Sequence, residues 1–137
     1  MTHVALQVAD DVRTRWQAGD YVGAEALLAS AVAESPDDAT LWEIRGRTLA
    51  RLKRFREACH ALESASVLAP LSVSGQCTLA QAYLEMGKRD LARFMFRGLA
   101  RRRDCPTSCL SELAAGLGRL GELELALQVC REASARD

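Results

Sequence analysis

The chain repeats itself every 34 residues, and this constrains its fold more than any other feature. Pro36 and Pro70 stand one such step apart. Ala24, Ala58, Ala92 and Ala126 share a register, as do Leu28, Leu62, Phe96 and Cys130, and then Ala31, Ala65, Leu99 and Ala133. Gly19, Gly87 and Gly121 align too, with Lys53 at the glycine position of the second unit. Tyr21, Phe55 and Leu123 follow two residues later, and Arg89 breaks that series. Four frames result, 5–38, 39–72, 73–106 and 107–137, read as a single array over 1–137. A unit of this size cannot bury its apolar face alone, so it must stack on a neighbour.

Each frame reads helix, turn, helix. Trp42, Gly46 and Leu49 recur at three- to four-residue spacing, as do Leu79, Ala80 and Tyr83, and Leu110, Leu113, Ala114 and Leu117. That spacing is one face of a helix. Met86-Gly87-Lys88 and Leu120-Gly121-Glu122 then break the pattern, because glycine accepts the left-handed conformation that ends a helix. Pro36 and Pro70 stop the second helices, lacking the amide donor and disfavouring helix in the residue before them. Gly46, Ala80 and Ala114 on first helices are expected to meet Ala58, Ala92 and Ala126 on second helices, allowing close axial approach. Aromatics make up only 5% of the chain, while Ala and Leu abound, which favours helix over strand.

A 34-residue helical hairpin with this order of small, aromatic and proline positions resembles the tetratricopeptide repeat (TPR). The second frame matches best, through Trp42, Gly46, Leu49, Phe55, Ala58, Leu62, Ala65 and Pro70. The first frame matches in its second helix, through Gly19, Asp20, Tyr21, Ala24, Leu28, Ala31 and Pro36. Its first helix sets Val8, Val12 and Trp16 on one stripe, with Asp11 and Arg15 where large apolar residues belong, and reads as a capping helix with a side turned to water. The resemblance implies an all-α α-solenoid, a right-handed superhelix of antiparallel helix pairs. It also implies a non-enzymatic scaffold or adaptor that binds a partner's peptide segment in a concave groove lined by first helices.

Carried onto this chain, the groove positions fall on Arg13, Trp16 and Gln17 in the first frame and on Glu43, Arg47 and Arg51 in the second. They fall on Cys77, Gln81, Leu84 and Glu85 in the third and on Ser111 and Arg119 in the fourth. Trp16 and Leu84 are the expected apolar anchors. Four arginines, Arg13, Arg47, Arg51 and Arg119, face two acids, Glu43 and Glu85, so the groove should be mildly positive and suit an acidic or C-terminal peptide. Some of these arginines are also expected to pair with Glu43 and Glu85 across turns. The Lys and Asn clamp by which chaperone-binding members hold a terminal carboxylate is not expected, since Ala9, Arg13, Ile44, Ser74 and Thr78 occupy its places. The remaining expectations are a secretion-type chaperone, which would need a more apolar groove, and an anionic partner or RNA on a basic stripe.

Charge excludes little. The 18 Lys and Arg balance 18 Asp and Glu, so nothing demands a polyanion, and nucleic acid is not the expected partner. Arg93, Arg97 and Arg101 make a basic stripe beside Phe94, read as a solvated helix face with cations near its C-terminus. No apolar stretch approaches a membrane span and no export signal is visible, so a cytoplasmic protein is expected, with its excess of Arg over Lys hinting at a GC-rich bacterial source. Five scattered cysteines suggest free thiols, not a disulfide framework. Cys130 takes a core position, Cys77 faces the groove, and Cys105, near Arg101-Arg102-Arg103, is the candidate for redox reactivity.

No cofactor, metal or catalytic site is expected. Gly116-Leu-Gly118-Arg-Leu-Gly121 imitates a dinucleotide loop but lies where a helix closes. Cys105 and Cys109 lack the companion ligands of a zinc site. Cys59 and His60 are adjacent and so face apart on a helix, while His3 falls in an expected loose tail. The fourth frame stops just short of the proline position at Asp137, with no polar helix to cover it. Pairing with another copy and continuation in a longer protein are equal expectations.

Overall fold

The computed structural model describes residues 3–102 and 104–136. Arg103 of the basic run and Asp137 at the end of the fourth frame lie outside the described residues, as do the side chains of His3 and Val4. The described residues form helices only, in the order α1 His3–Gln17, α2 Tyr21–Glu34, α3 Ala39–Arg51, α4 Phe55–Leu68, α5 Val73–Glu85, α6 Arg89–Ala100, α7 Thr107–Arg119 and α8 Leu123–Arg136. The helix starts repeat the sequence period without drift. Ala39, Val73 and Thr107 open first helices, and Tyr21, Phe55, Arg89 and Leu123 open second helices. His3, expected in a tail, belongs to α1.

The chain divides into two compact units, Met1–Leu71 and Ser72–Asp137. In the first, α1 to α4 pack as sequential antiparallel pairs. Ala5, Val12, Ala24, Leu28, Ala31, Val32 and Leu41 form a buried cluster, with Val8, Trp16, Leu27, Trp42 and Ile44 packed against it. A second cluster of Leu49, Ala58 and Ala61 continues it between α3 and α4. Gly46 is small because α4 is close: a Cβ there would lie 2.5 Å from Leu62 Cγ and 3.3 Å from the Ala58 carbonyl oxygen. One ion pair ties α2 to α3. Glu25, little exposed, accepts from Arg45 Nε at 3.1 Å.

Ends and turns follow from local chemistry. Asp20 caps α2 by accepting from the Gly23 amide at 2.9 Å, and Asp38 caps α3 by accepting from Thr40 and Leu41. The α4 helix ends with Ala69 extended before Pro70, as proline requires of its predecessor. Lys53 adopts φ +61°, the left-handed conformation that Gly87 takes at the same place one frame later.

In the second unit α5 pairs with α6 and α7 with α8. Phe96 of α6 is fully buried and lies over α7 at Gly116, where a Cβ would come within 2.5 Å of its ring. Leu79, Ala80, Tyr83, Ala92, Leu99, Leu110, Leu113 and Leu117 complete the core. Cys130 departs from expectation. It is exposed, and Val129 is the residue α8 buries, so the register that puts Phe96 inside does not bury its counterpart on α8. Leu123 and Leu127 on α8 are 65% and 57% exposed.

Candidate functional site

Met1–Leu71 carries a cleft of about 410 Å³ between α1 and α3, lined by Ala9, Val12, Arg13, Trp16, Gln17, Ile44 and Arg47. Its apolar floor arises from core packing. Val12 and Trp16 lie one turn apart on α1, and Ile44 sits on the α3 face that leans against the same cluster.

Trp16 is the fixed point of the cleft. Its Nε1 donates to Thr48 Oγ1 at 3.1 Å, and that hydroxyl donates to the Ile44 carbonyl at 2.8 Å. Thr48 is fully buried, so the chain of bonds satisfies each polar group on the way and locks the indole. Tyr21 meets the ring edge-on at 5.7 Å. Above the ring sit two guanidinium groups, Arg47 at 5.4 Å and Arg51 at 5.6 Å from the centroid. Cation–π attraction of this kind contributes about 0.5–1 kcal/mol when exposed. Among the described residues neither arginine has an ion pair. Arg13 pairs with Asp10 at 3.3 Å, but both side chains are largely in water, so the pair contributes little.

The expected site residues therefore separate. Arg13, Trp16, Gln17 and Arg47 meet in the cleft, and Arg51 joins them through the indole. Glu43 is half-buried on the same helix α3. In Ser72–Asp137 the outcome is different. Gln81 is half-buried and Ser111 exposed. Glu85 and Arg119 form an ion pair between α5 and α7, so that arginine is matched from a neighbouring repeat and not across a turn. Leu84 is 5% exposed and Cys77 1%, so neither presents surface to a ligand. Both lie on the buried part of the α5 surface, and α5 buries far more of its circumference than α1 does. Burial, reinforced by the Glu112 carboxylate, pushes the Cys77 thiol above its ordinary range.

Two further expectations are corrected. Cys105 is buried, and loss of hydration raises its thiol pKa, so the neighbouring arginines do not make it a thiolate. The basic stripe on α6 is not simply solvated. Arg93 pairs with Asp90 at 3.1 Å and with Glu122 at 3.3 Å, and Arg97 also pairs with Glu122, tying α6 to the start of α8. Sequence reasoning missed Val12 and Ile44 as cleft walls and Thr48 as the indole's anchor. Their spacing from Trp16 and Arg47 carried the signal only for the first two.

A family model described as tetratricopeptide repeat matches residues 10–72. Among curated proteins none matches by sequence. Several solved structures share the fold. "MamA 41-end from Desulfovibrio magneticus RS-1" gives a TM-score of 0.74 at 15% identity, covering 100% of this chain and 77% of that one. "Crystal structure of MamA" gives 0.70 at 15% identity over 90% of this chain and 72% of that one. YrrB, described as "a TPR protein with an unusual peptide-binding site", gives 0.70 at 15% identity over 95% and 67%. At such identities the likeness speaks for the fold alone, an α-solenoid of sequential antiparallel helix pairs.

Proposed function

Because this chain belongs to the tetratricopeptide repeat family, whose domains are generally protein–protein interaction modules, we propose that it is a non-enzymatic adaptor that seats a partner's peptide segment in the α1–α3 cleft. The segment brings an apolar side chain for the floor of Val12, Trp16 and Ile44 and a carboxylate for Arg47 and Arg51. One observation carries this reading: two guanidinium groups held on one indole, over an apolar floor, with no ion-pair partner among the described residues. Guanidinium forks match carboxylates bidentately, and the attraction gains from the low-dielectric floor. That YrrB is described as having a peptide-binding site is in keeping with it.

The test is a titration of labelled peptides carrying an apolar residue beside Glu, against the same peptides with Gln. The Glu peptides should bind at least about tenfold more tightly, and added salt should narrow the gap. Arg47→Glu with Arg51→Glu should abolish the preference. Equal binding by both peptide sets, or by the double variant, would remove the proposal.

A secretion-type chaperone role is less well supported, since the cleft is small and ringed by arginines. Among the described residues no helix is long and apolar enough to cross a membrane. Pairing of two copies through α8 is supported by exposed Leu123 and Leu127. Light scattering reads it directly, and a monodisperse monomer at high concentration rules it out.

A further inference from the structure

The outward face of α6 combines four features that the packing of Ser72–Asp137 does not use. Phe94 is 77% exposed and Leu91 43% exposed. Gly98 lies one turn beyond Phe94, inside the helix and exposed. Arg101 has no ion pair among the described residues. Leu91, Phe94, Gly98 and Arg101 follow one another at spacings of three, four and three, which sets them along one stripe. Beside the stripe runs a depression of about 670 Å³, formed by α6 together with Gln76.

Gly98 is the informative member. A glycine inside an exposed helix is unfavourable relative to alanine. Gly46 and Gly116 are required by Leu62 and Phe96, which a Cβ would strike. At Gly98 a Cβ would meet nothing within 4 Å. The chain's own fold therefore gives no reason for a glycine there, whereas a second helix laid on the stripe would, because a missing side chain lets two axes approach closely. The large exposed ring of Phe94 next to that hole is a knob beside a socket, in the spacing that another helix presents.

Charge selects the occupant. The end of the stripe beyond Phe94 is basic, with Arg97 partly exposed and Arg101 unmatched among the described residues. Arg93 and Arg97 already share Glu122, and Arg93 also has Asp90, so among the described residues the surface lacks the run of unmatched cations that phosphate backbones draw on. We propose that this face of α6 docks an acidic amphipathic helix of a partner protein. Its apolar ridge packs on Phe94 and Leu91 across Gly98, and its flanking carboxylates meet Arg101 and Arg97. This site is separate from the α1–α3 cleft.

The experiment uses the full chain, labelled with ¹⁵N, and three probes. The first is a synthetic helix of about three heptads with leucine at a and d and glutamate at e and g. The second is the same peptide with lysine for glutamate, and the third is a single-stranded oligouridine. The glutamate peptide should give saturable shifts centred on residues 91–101. Phe94→Ala should weaken it about tenfold or more. Gly98→Leu should abolish it by filling the socket, and Gly98→Ala should raise the Tm of the free chain while weakening the peptide. Arg47→Glu with Arg51→Glu should change none of this, which keeps the outcome distinct from that of the cleft. Equal binding of both peptides overturns the proposal. So does a response to oligouridine alone, shifts centred elsewhere, or concentration-dependent broadening of the α6 signals without peptide that Phe94→Ala removes.

Discussion

At the scale of single residues, register and environment supply different information. Lys53 was legible as the stand-in for a turn glycine because Gly19, Gly87 and Gly121 mark the place, and it does take the left-handed conformation. A side chain in that region is strained by roughly 1–2 kcal/mol. Lys53→Gly should therefore raise stability by about 0.5–1 kcal/mol once the greater freedom of glycine in the unfolded chain is counted. Urea denaturation checks this, and an unchanged or lower midpoint would contradict it. Thr48 was not legible. Its value lies in one hydroxyl placed between Trp16 and the Ile44 carbonyl, and no periodicity announces a bond across 32 residues. Leu84 and Cys130 show the opposite limit. Register fixes which way a side chain points along its own helix, but burial depends on what lies opposite, and that differs between α5 and α8.

At the scale of helices and their contacts, small residues and caps do most of the specifying. Gly116→Ala would force a methyl group to within 2.5 Å of the Phe96 ring, which has no exposed side to retreat to. A loss of about 1–3 kcal/mol is expected. Caps bring pH into the fold. Asp20 accepts from the Gly23 amide and then from Arg15, and both lower its pKa below the ordinary carboxylate value. A depressed folded-state pKa contributes stability above the unfolded value of about 4 and loses it as pH falls through the folded value. Asp20→Asn keeps a capping oxygen but cannot titrate. Its unfolding midpoint should fall less steeply with acid below about pH 4 than that of the wild type. Parallel curves would show that Asp20 carries none of the acid response. Of the caps at Asp20 and Asp38 only Asp20 was legible, as a member of the repeat match in the first frame and not as a cap. The Arg93–Glu122–Arg97 arrangement was not, because it joins side chains from different repeats.

At the scale of the whole chain, the 34-residue period made the fold class legible before any coordinates, and the observed helix starts keep it. The site was only half legible. The first two frames placed Arg13, Trp16, Gln17, Arg47 and Arg51 together, but the same rule applied to the later frames selected Leu84 and Cys77, which are inside. A groove position is a direction, and whether it reaches solvent depends on how wide a face its helix buries. The division into Met1–Leu71 and Ser72–Asp137 has an energetic corollary. Repeat arrays are stabilised by nearest-neighbour interfaces, so damage stays local. Gly116→Ala should speed amide exchange mainly in α6 to α8 and leave α1 to α3 protected. Uniform loss of protection along the chain would instead indicate one cooperative block.

The indole held by Thr48 makes the cleft self-reporting. The chain has two tryptophans, and Trp42 is bound elsewhere, through its donation to the Pro36 carbonyl at 2.8 Å. With Trp42→Phe the remaining emission comes from Trp16 alone, whose two stacked cations tune its colour. Any occupant that draws those cations away must shift that light, so a fluorimeter can watch the cleft fill without a label on either molecule.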